Sequence, residues 1–145
     1  MMTMPDNAAL ARLMYEAFNN NDLETILAYT ADDVELVLMP FDLHFHGLEG
    51  FREFIQRVKT AFPDCTARLV SQINHEAGVV NQLVAQGTHT GPLVSPYREI
   101  PATGRVISYY VCEVWDVNKG KLTKLRSYFD TLTMLRQLGL RPEVT

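Results

Sequence analysis

The chain has 145 residues, 47% of them apolar and 21% charged, with a net charge of −4, which is the composition of one ordinary globular domain. An acidic balance without a Lys/Arg cluster excludes a nucleic-acid surface, and no apolar run approaches the roughly 18 residues of a membrane span. The opening "MMTMPDNAAL" lacks the basic and apolar regions of a signal peptide, so the expected location is cytoplasmic. In chain order, about 6–20 reads as an amphipathic helix, with Leu10, Leu13, Met14, Ala17 and Phe18 at 3–4 spacing and Asp6 or Asn7 as its cap. A second short helix carries Leu23, Ile26, Leu27 and Tyr29, and "VELVLM" reads as a first strand. "PFDLHFHG" is a loop or hairpin, and a third helix runs from "LEG" to about Ala61, ended by Phe62-Pro63. Long strands follow at about 66–76, 79–91, 104–117 and 121–130, with Gly78 and "VNKGKL" as turns and Gly120 suited to positive φ. "GPLVSPYREIPATGR" is a Pro- and Gly-rich connection with the length of a lid. A short helix closes the chain at about 131–138.

Helices followed by an antiparallel meander give an α+β class with helices gathered on one side of a sheet. A curved sheet of this kind encloses a cone-shaped cavity suited to a small apolar ligand. Cys65 and Cys112 have no CxxC or metal spacing and read as structural thiols of a reduced compartment. His44 and His46 share a strand face with only Asp42 as an acidic neighbour, so no metal site is expected.

"FHGLEGFREFI", "FPD", "GTHTGP", "IPATGR", "KGKL" and "YFDTLTMLRQLG" occur in this order and spacing. Together they resemble the SnoaL-like polyketide cyclase family of the nuclear transport factor 2-like superfamily, over about residues 8–140. The resemblance implies a single domain over residues 1–145, with three N-terminal helices and a curved mixed or antiparallel sheet around a pocket. It also implies a cofactor-free enzyme that closes a ring by intramolecular aldol condensation on a polyketide ester, and a homodimer or higher homo-oligomer. The family's acid/base aspartate falls on Asp130. Where the cyclases carry pocket asparagines, this chain has Leu36 and Phe54, and their pocket histidine falls on Asp116 or Trp115. The acid is kept and its polar company is not.

Abstracting a proton beside a carbonyl needs a base with a pKa near the working pH. An aspartate in water is too acidic, at about 3.9, but burial among Tyr128, Phe129 and Leu132 would raise it. The competing reading makes Asp130 the N-cap of the last helix, which would lower its pKa. Alternation puts Arg126, Tyr128 and Asp130 on one strand face, so Arg126 could pair with the acid or hold a substrate oxygen. His89, beyond the small residues Ala85 and Gly87, is the second catalytic candidate, as a proton shuttle. Glu113 and Asp116, three apart on one strand, point to opposite faces, so at most one enters the pocket. Tyr109, Tyr110, Trp115, Phe41 and Met39 read as core, some of them lining the cavity.

The leading expectation is therefore proton transfer beside a carbonyl, leading to cyclisation or isomerisation. Asp130 and His89 are its catalytic candidates, and Arg126, Tyr128, Leu36, Phe54, Trp115 and Asp116 are its substrate contacts. The partner is a small apolar or aromatic carbonyl compound. Two rivals stay open: an epoxide or ester hydrolase using Arg126 and a second carboxylate such as Glu113, and a binding module without catalysis.

Overall fold

A computed structural model describes residues 4–94 and 98–141. Helix α1 (Asn7–Asn19) starts where the Asp6 carboxylate accepts the Ala9 N–H at 2.9 Å, and its 3–4 spacing buries Ala11, Met14 and Tyr15 on one face. Asn21, with φ of 58°, turns the chain into α2 (Leu23–Ala28). Strand β1 (Thr30–Leu38) begins earlier than the expected "VELVLM" and runs through "ADD". A 3₁₀ turn, Met39–Phe41, leads to β2 (Leu43–His46), so "PFDLHFHG" resolves as a hairpin. Helix α3 (Gly47–Ala61) follows, and Phe62 ends it.

The meander comprises β3 (Thr66–His75), β4 (Gly78–Thr88), β7 (Val106–Asn118) and β8 (Lys121–Phe129). A small hairpin of β5 (Leu93–Val94) and β6 (Glu99–Ile100) lies between β4 and β7. The last helix is α4 (Thr131–Gln137). Ser95, Pro96 and Tyr97, within the expected lid, fall outside the described residues.

The main sheet has six strands in the order β2-β1-β8-β7-β4-β3 and is mixed, since β1 and β8 run parallel while the other pairs are antiparallel. Register shifts at Thr30/Glu35, Leu69/Ser71 and Asp116/Val117 are the irregularities that add twist and bend the strands. The β7–β8 hairpin closes on Lys119 and Gly120, whose φ angles of 52° and 74° match the right-handed twist of the pair. Helix α1 packs on β3 and β4, and α3 on β1 and β2. The core between helices and sheet joins Ala11, Met14 and Tyr15 to Leu83, Trp115 and Leu125. The expected α+β class, with helices packed on one face of a mixed sheet, is the observed architecture.

Candidate active site

The concave face and the helices enclose a cavity of about 990 Å³. Its wall is mostly apolar, with Met14, Phe18, Phe45, Phe51, Phe54, Leu83, Val111, Trp115 and Phe129 among its members. Strand alternation decides which polar groups reach it. On β7 the inward positions are Tyr109, Val111, Glu113 and Trp115, all on the cavity wall. Four neighbouring strands, β3, β4, β7 and β8, each place one polar side chain in a single register row. Gln72 of β3 pairs in register with Asn81 of β4, Asn81 with Glu113 of β7, and Glu113 with Ser127 of β8. A polar row therefore crosses an otherwise apolar sheet.

Glu113 is the centre of that row. Its Oε1 accepts the Tyr15 hydroxyl from α1, and also the Trp115 indole N–H, Nε1 lying 3.1 Å away. The Trp115 contact follows from alternation, because residues two apart share a face. The Tyr15 and Trp115 rings pack with centroids 5.2 Å apart. Both donors meet one oxygen, and Oε2 has no hydrogen bond to any described residue, while Glu113 itself lies on the cavity wall. Burial pushes the Glu113 carboxyl above its ordinary range, while its two donors pull the other way. Burial, and then the nearby Glu113 charge, push the Tyr15 phenol well above its usual value, so it remains a donor. Behind them the Asn81 Oδ1 accepts from the Gln72 side chain at 2.9 Å, and Asn81 is completely buried.

The expected catalytic acid lies elsewhere. Asp130 is exposed at the N-cap of α4, where Oδ1 accepts the Leu132 and Thr133 N–H groups at 2.9 and 3.3 Å, and Oδ2 accepts the Thr133 hydroxyl at 2.8 Å. The Thr133 hydroxyl, then its N–H, hold the carboxyl below its ordinary value. It is not on the cavity wall. The capping geometry, rather than the buried one, is what forms.

Arg126 and Tyr128 do share a face, but it is the outer face, because Leu125, Ser127 and Phe129 point inward. Arg126 forms a two-pronged contact with Asp116, both distances 3.2 Å, so neither residue reaches the cavity. Leu36 is fully buried in the core and absent from the wall, whereas Phe54 and Trp115 line it.

His89 is also fully buried and off the wall. Its Nδ1 accepts the Thr103 N–H at 3.2 Å and lies 2.9 Å from the Thr103 hydroxyl. Its backbone joins Arg105 and Gly104 at 2.8 Å each. It pins the 89–105 connection instead of facing a ligand, and burial lowers its pKa. Since Nδ1 accepts, Nε2 carries the proton, and it is buried without a well-formed hydrogen bond to any described residue.

Residues 8–138 match the family model described as SnoaL-like polyketide cyclase. The chain belongs to that family. Among solved structures, this SnoaL-like chain is similar to IdmH from Streptomyces antibioticus, a candidate polyketide cyclase. The two share 29% identity over 94% of this chain and 100% of that one, with a TM-score of 0.75. It is likewise similar to a candidate polyketide cyclase from Xanthomonas campestris, at 26% identity over 91% and 96% of the two chains and a TM-score of 0.79. An M. tuberculosis LEH-like epoxide hydrolase shares the fold, at 19% identity over 92% of each chain and a TM-score of 0.71. No curated protein matches the sequence significantly. No helix among the described residues is long and apolar enough to cross a membrane, and no group of three or more metal-binding side chains lies among them.

Glu113 was legible as one of two candidates on β7, but its assignment to the cavity was not. The usable signal is one polar residue per inward-facing strand register, at Asn81, Glu113 and Ser127.

Proposed function

We propose that this SnoaL-like protein is an acid/base enzyme that moves a proton beside a carbonyl, with Glu113 in the role expected of Asp130. The observation that carries this is the Glu113 carboxyl on the wall of an apolar cavity, with Oε1 held by two donors and Oε2 without a hydrogen bond to any described residue. A base of this kind needs a pKa near the working pH, and burial moves Glu113 in that direction.

The steps are those of an intramolecular aldol closure. Oε2 takes a proton from the carbon beside a carbonyl, and the C–H electron pair becomes an enolate. The enolate carbon attacks a second carbonyl of the same molecule, forming a C–C bond. The new alkoxide then takes the proton back from Oε2. Returning it to a different carbon gives an isomerisation instead. Tyr15 and Trp115 steady Oε1 in both the charged and uncharged forms. Ser127, adjacent to Glu113 across β7 and β8 and buried on the wall, is placed to donate to a developing oxyanion. The apolar wall keeps water from competing for the enolate.

The hydrolase alternative loses its expected arginine, because Arg126 is engaged with Asp116 on the outer face. The binding-module alternative is separated by experiment. In heavy water, the protein is expected to speed deuterium uptake at the carbon between the carbonyls of a β-keto ester, followed by proton NMR. Glu113→Gln should abolish the acceleration. Uptake equal to that of buffer for the unaltered protein, across a panel of aromatic and alkyl β-keto esters, would leave a binding role. Two copies are expected to pair, and a light-scattering mass of a single 16.5 kDa chain would contradict that.

A further inference from the structure

We infer that Tyr109 holds the ligand, its hydroxyl donating a hydrogen bond to a carbonyl oxygen that lies apart from the carbon deprotonated at Glu113. The inference rests on the reading that this cavity is the substrate site, but it concerns binding and needs no turnover to test. The ligand class it points to carries two oxygen functions on one apolar body.

Tyr109 occupies an inward position of β7, on the cavity wall with Glu113 and Trp115. Trp115 and Glu113 satisfy each other, and Tyr15 of α1 joins the same carboxyl. Tyr109 stands outside that group, and its hydroxyl has no hydrogen bond to any described residue. Its ring packs on Phe129, also of the wall, with centroids 6.0 Å apart. In its register row the β4 neighbour is Ala85, a wall residue with only a methyl group. Burial, and then the nearby Cys65 and Glu113, push the phenol up to about 12. It therefore stays protonated, and stays a donor, across the range in which Glu113 would work.

A buried tyrosine normally finds an acceptor for its hydroxyl, because an unpaired donor forfeits its hydration. The described residues supply none, so the acceptor comes from what enters the cavity. Mostly apolar pockets fix the orientation of a ligand through a few such polar points. Four residues of extended strand separate the Cα atoms of Tyr109 and Glu113 by about 13 Å. A ligand that meets both presents its acceptor and its acidic C–H at different points along its body. An aldol closure contains such a pair: the carbonyl beside the carbon that loses its proton, and the carbonyl that is attacked. Ser127, next to Glu113 in the sheet, serves the first oxygen, and Tyr109 takes the second.

The test compares benzylacetone with butylbenzene, which has the same skeleton without the carbonyl. Trp115 is the single tryptophan of the chain and lines the cavity, so its emission reports binding. Tyr109→Phe should weaken benzylacetone by about threefold to tenfold while changing butylbenzene by less than about twofold. Comparing the two proteins probe by probe cancels the difference in hydrophobicity between the probes. Phe keeps the ring that packs on Phe129, and butylbenzene binding shows that the variant's cavity is intact. Infrared difference spectra of isotope-labelled benzylacetone give a second readout. The bound carbonyl stretch should lie below its value in an alkane, and return toward that value in Tyr109→Phe. A packing role alone would leave the stretch where it was. Both effects in a protein that shows no deuterium uptake would sink the catalytic reading and leave this one standing. An equal change in both probes, no change in either, or a carbonyl stretch indifferent to the substitution would overturn it.

Discussion

Glu113→Gln is expected to change the pH dependence of stability in one direction only. Gln keeps the shape and the carbonyl oxygen that accepts from Tyr15 and Trp115, but removes the one titrating proton. In the native protein the Glu113 pKa is raised above its ordinary value, chiefly because burial disfavours the charge. The unfolded chain has an ordinary carboxyl, near 4.3. Between those two values the native state holds a proton that the unfolded state has lost, so stability falls as pH rises. The slope for a single proton is at most about 1.4 kcal/mol per pH unit. Below the unfolded pKa the contribution is fully present, and above the native pKa it is gone and the curves run parallel. Urea melts of both proteins from about pH 4 to 9, at unchanged slope with denaturant, read this difference directly. The Gln variant should gain on the native chain through the lower part of that range and then hold its gain. A difference that stays constant from acid to alkaline pH would mean that Glu113 titrates normally, and the case for a tuned base would fall. Glu113→Leu gives an independent control. It strands the Tyr15 hydroxyl and the Trp115 N–H, each at a cost of about 1–3 kcal/mol, and should be less stable than Gln at every pH.

Asp130→Asn is expected to leave deuterium uptake unchanged, and Asp130→Ala to fray α4, seen as faster amide exchange at Leu132 and Thr133. A loss of uptake in the Asn variant with α4 intact would return Asp130 to the chemistry. His89 has a pKa held down by burial, so its stabilising effect is present above the ordinary histidine range and is lost as pH falls through its native value. Below about pH 6.5 the amides of His89, Thr103 and Gly104 should exchange faster, after correction for intrinsic rates, as the clamp on the 89–105 connection loosens. Protection unchanged by acid at these three amides would rule that out.

Periodicity made most of the fold legible. The 3–4 spacing of α1, the Pro63 stop and the Lys119-Gly120 turn all report local preferences that tertiary packing did not override. The site was legible only by half. Alternation on β7 separates Glu113 from Asp116 but is symmetric, and the outer face carries Val106, Tyr110 and Val114, enough apolar surface to pass for a core. Tyr15 and Glu113 meet across 98 positions of sequence, which no local pattern records. Asp130 is different, because its role was written in the sequence. "DLET" at Asp22 and "DTLT" at Asp130 share an Asp-x-x-Thr signature, and in both the carboxylate accepts the N–H and hydroxyl of the threonine three residues on. The short helix after each aspartate was the stronger signal.

The parallel pairing of β1 with β8 sets a condition on how this molecule is made. Leu36 lies beside Leu125, close to ninety residues away, while the β7–β8 hairpin closes over a two-residue turn. Closing a long loop costs entropy before any contact repays it, so β1 is expected to dock after the hairpin has formed. Pulsed hydrogen exchange during refolding should protect Val114 and Trp115 before Leu36, and simultaneous protection would contradict this order. Until β1 arrives, Ser127 and Leu125 face solvent on a strand edge with unpaired backbone groups. The carboxylate is thus in place early, and the enclosure that tunes it is among the last things the chain acquires.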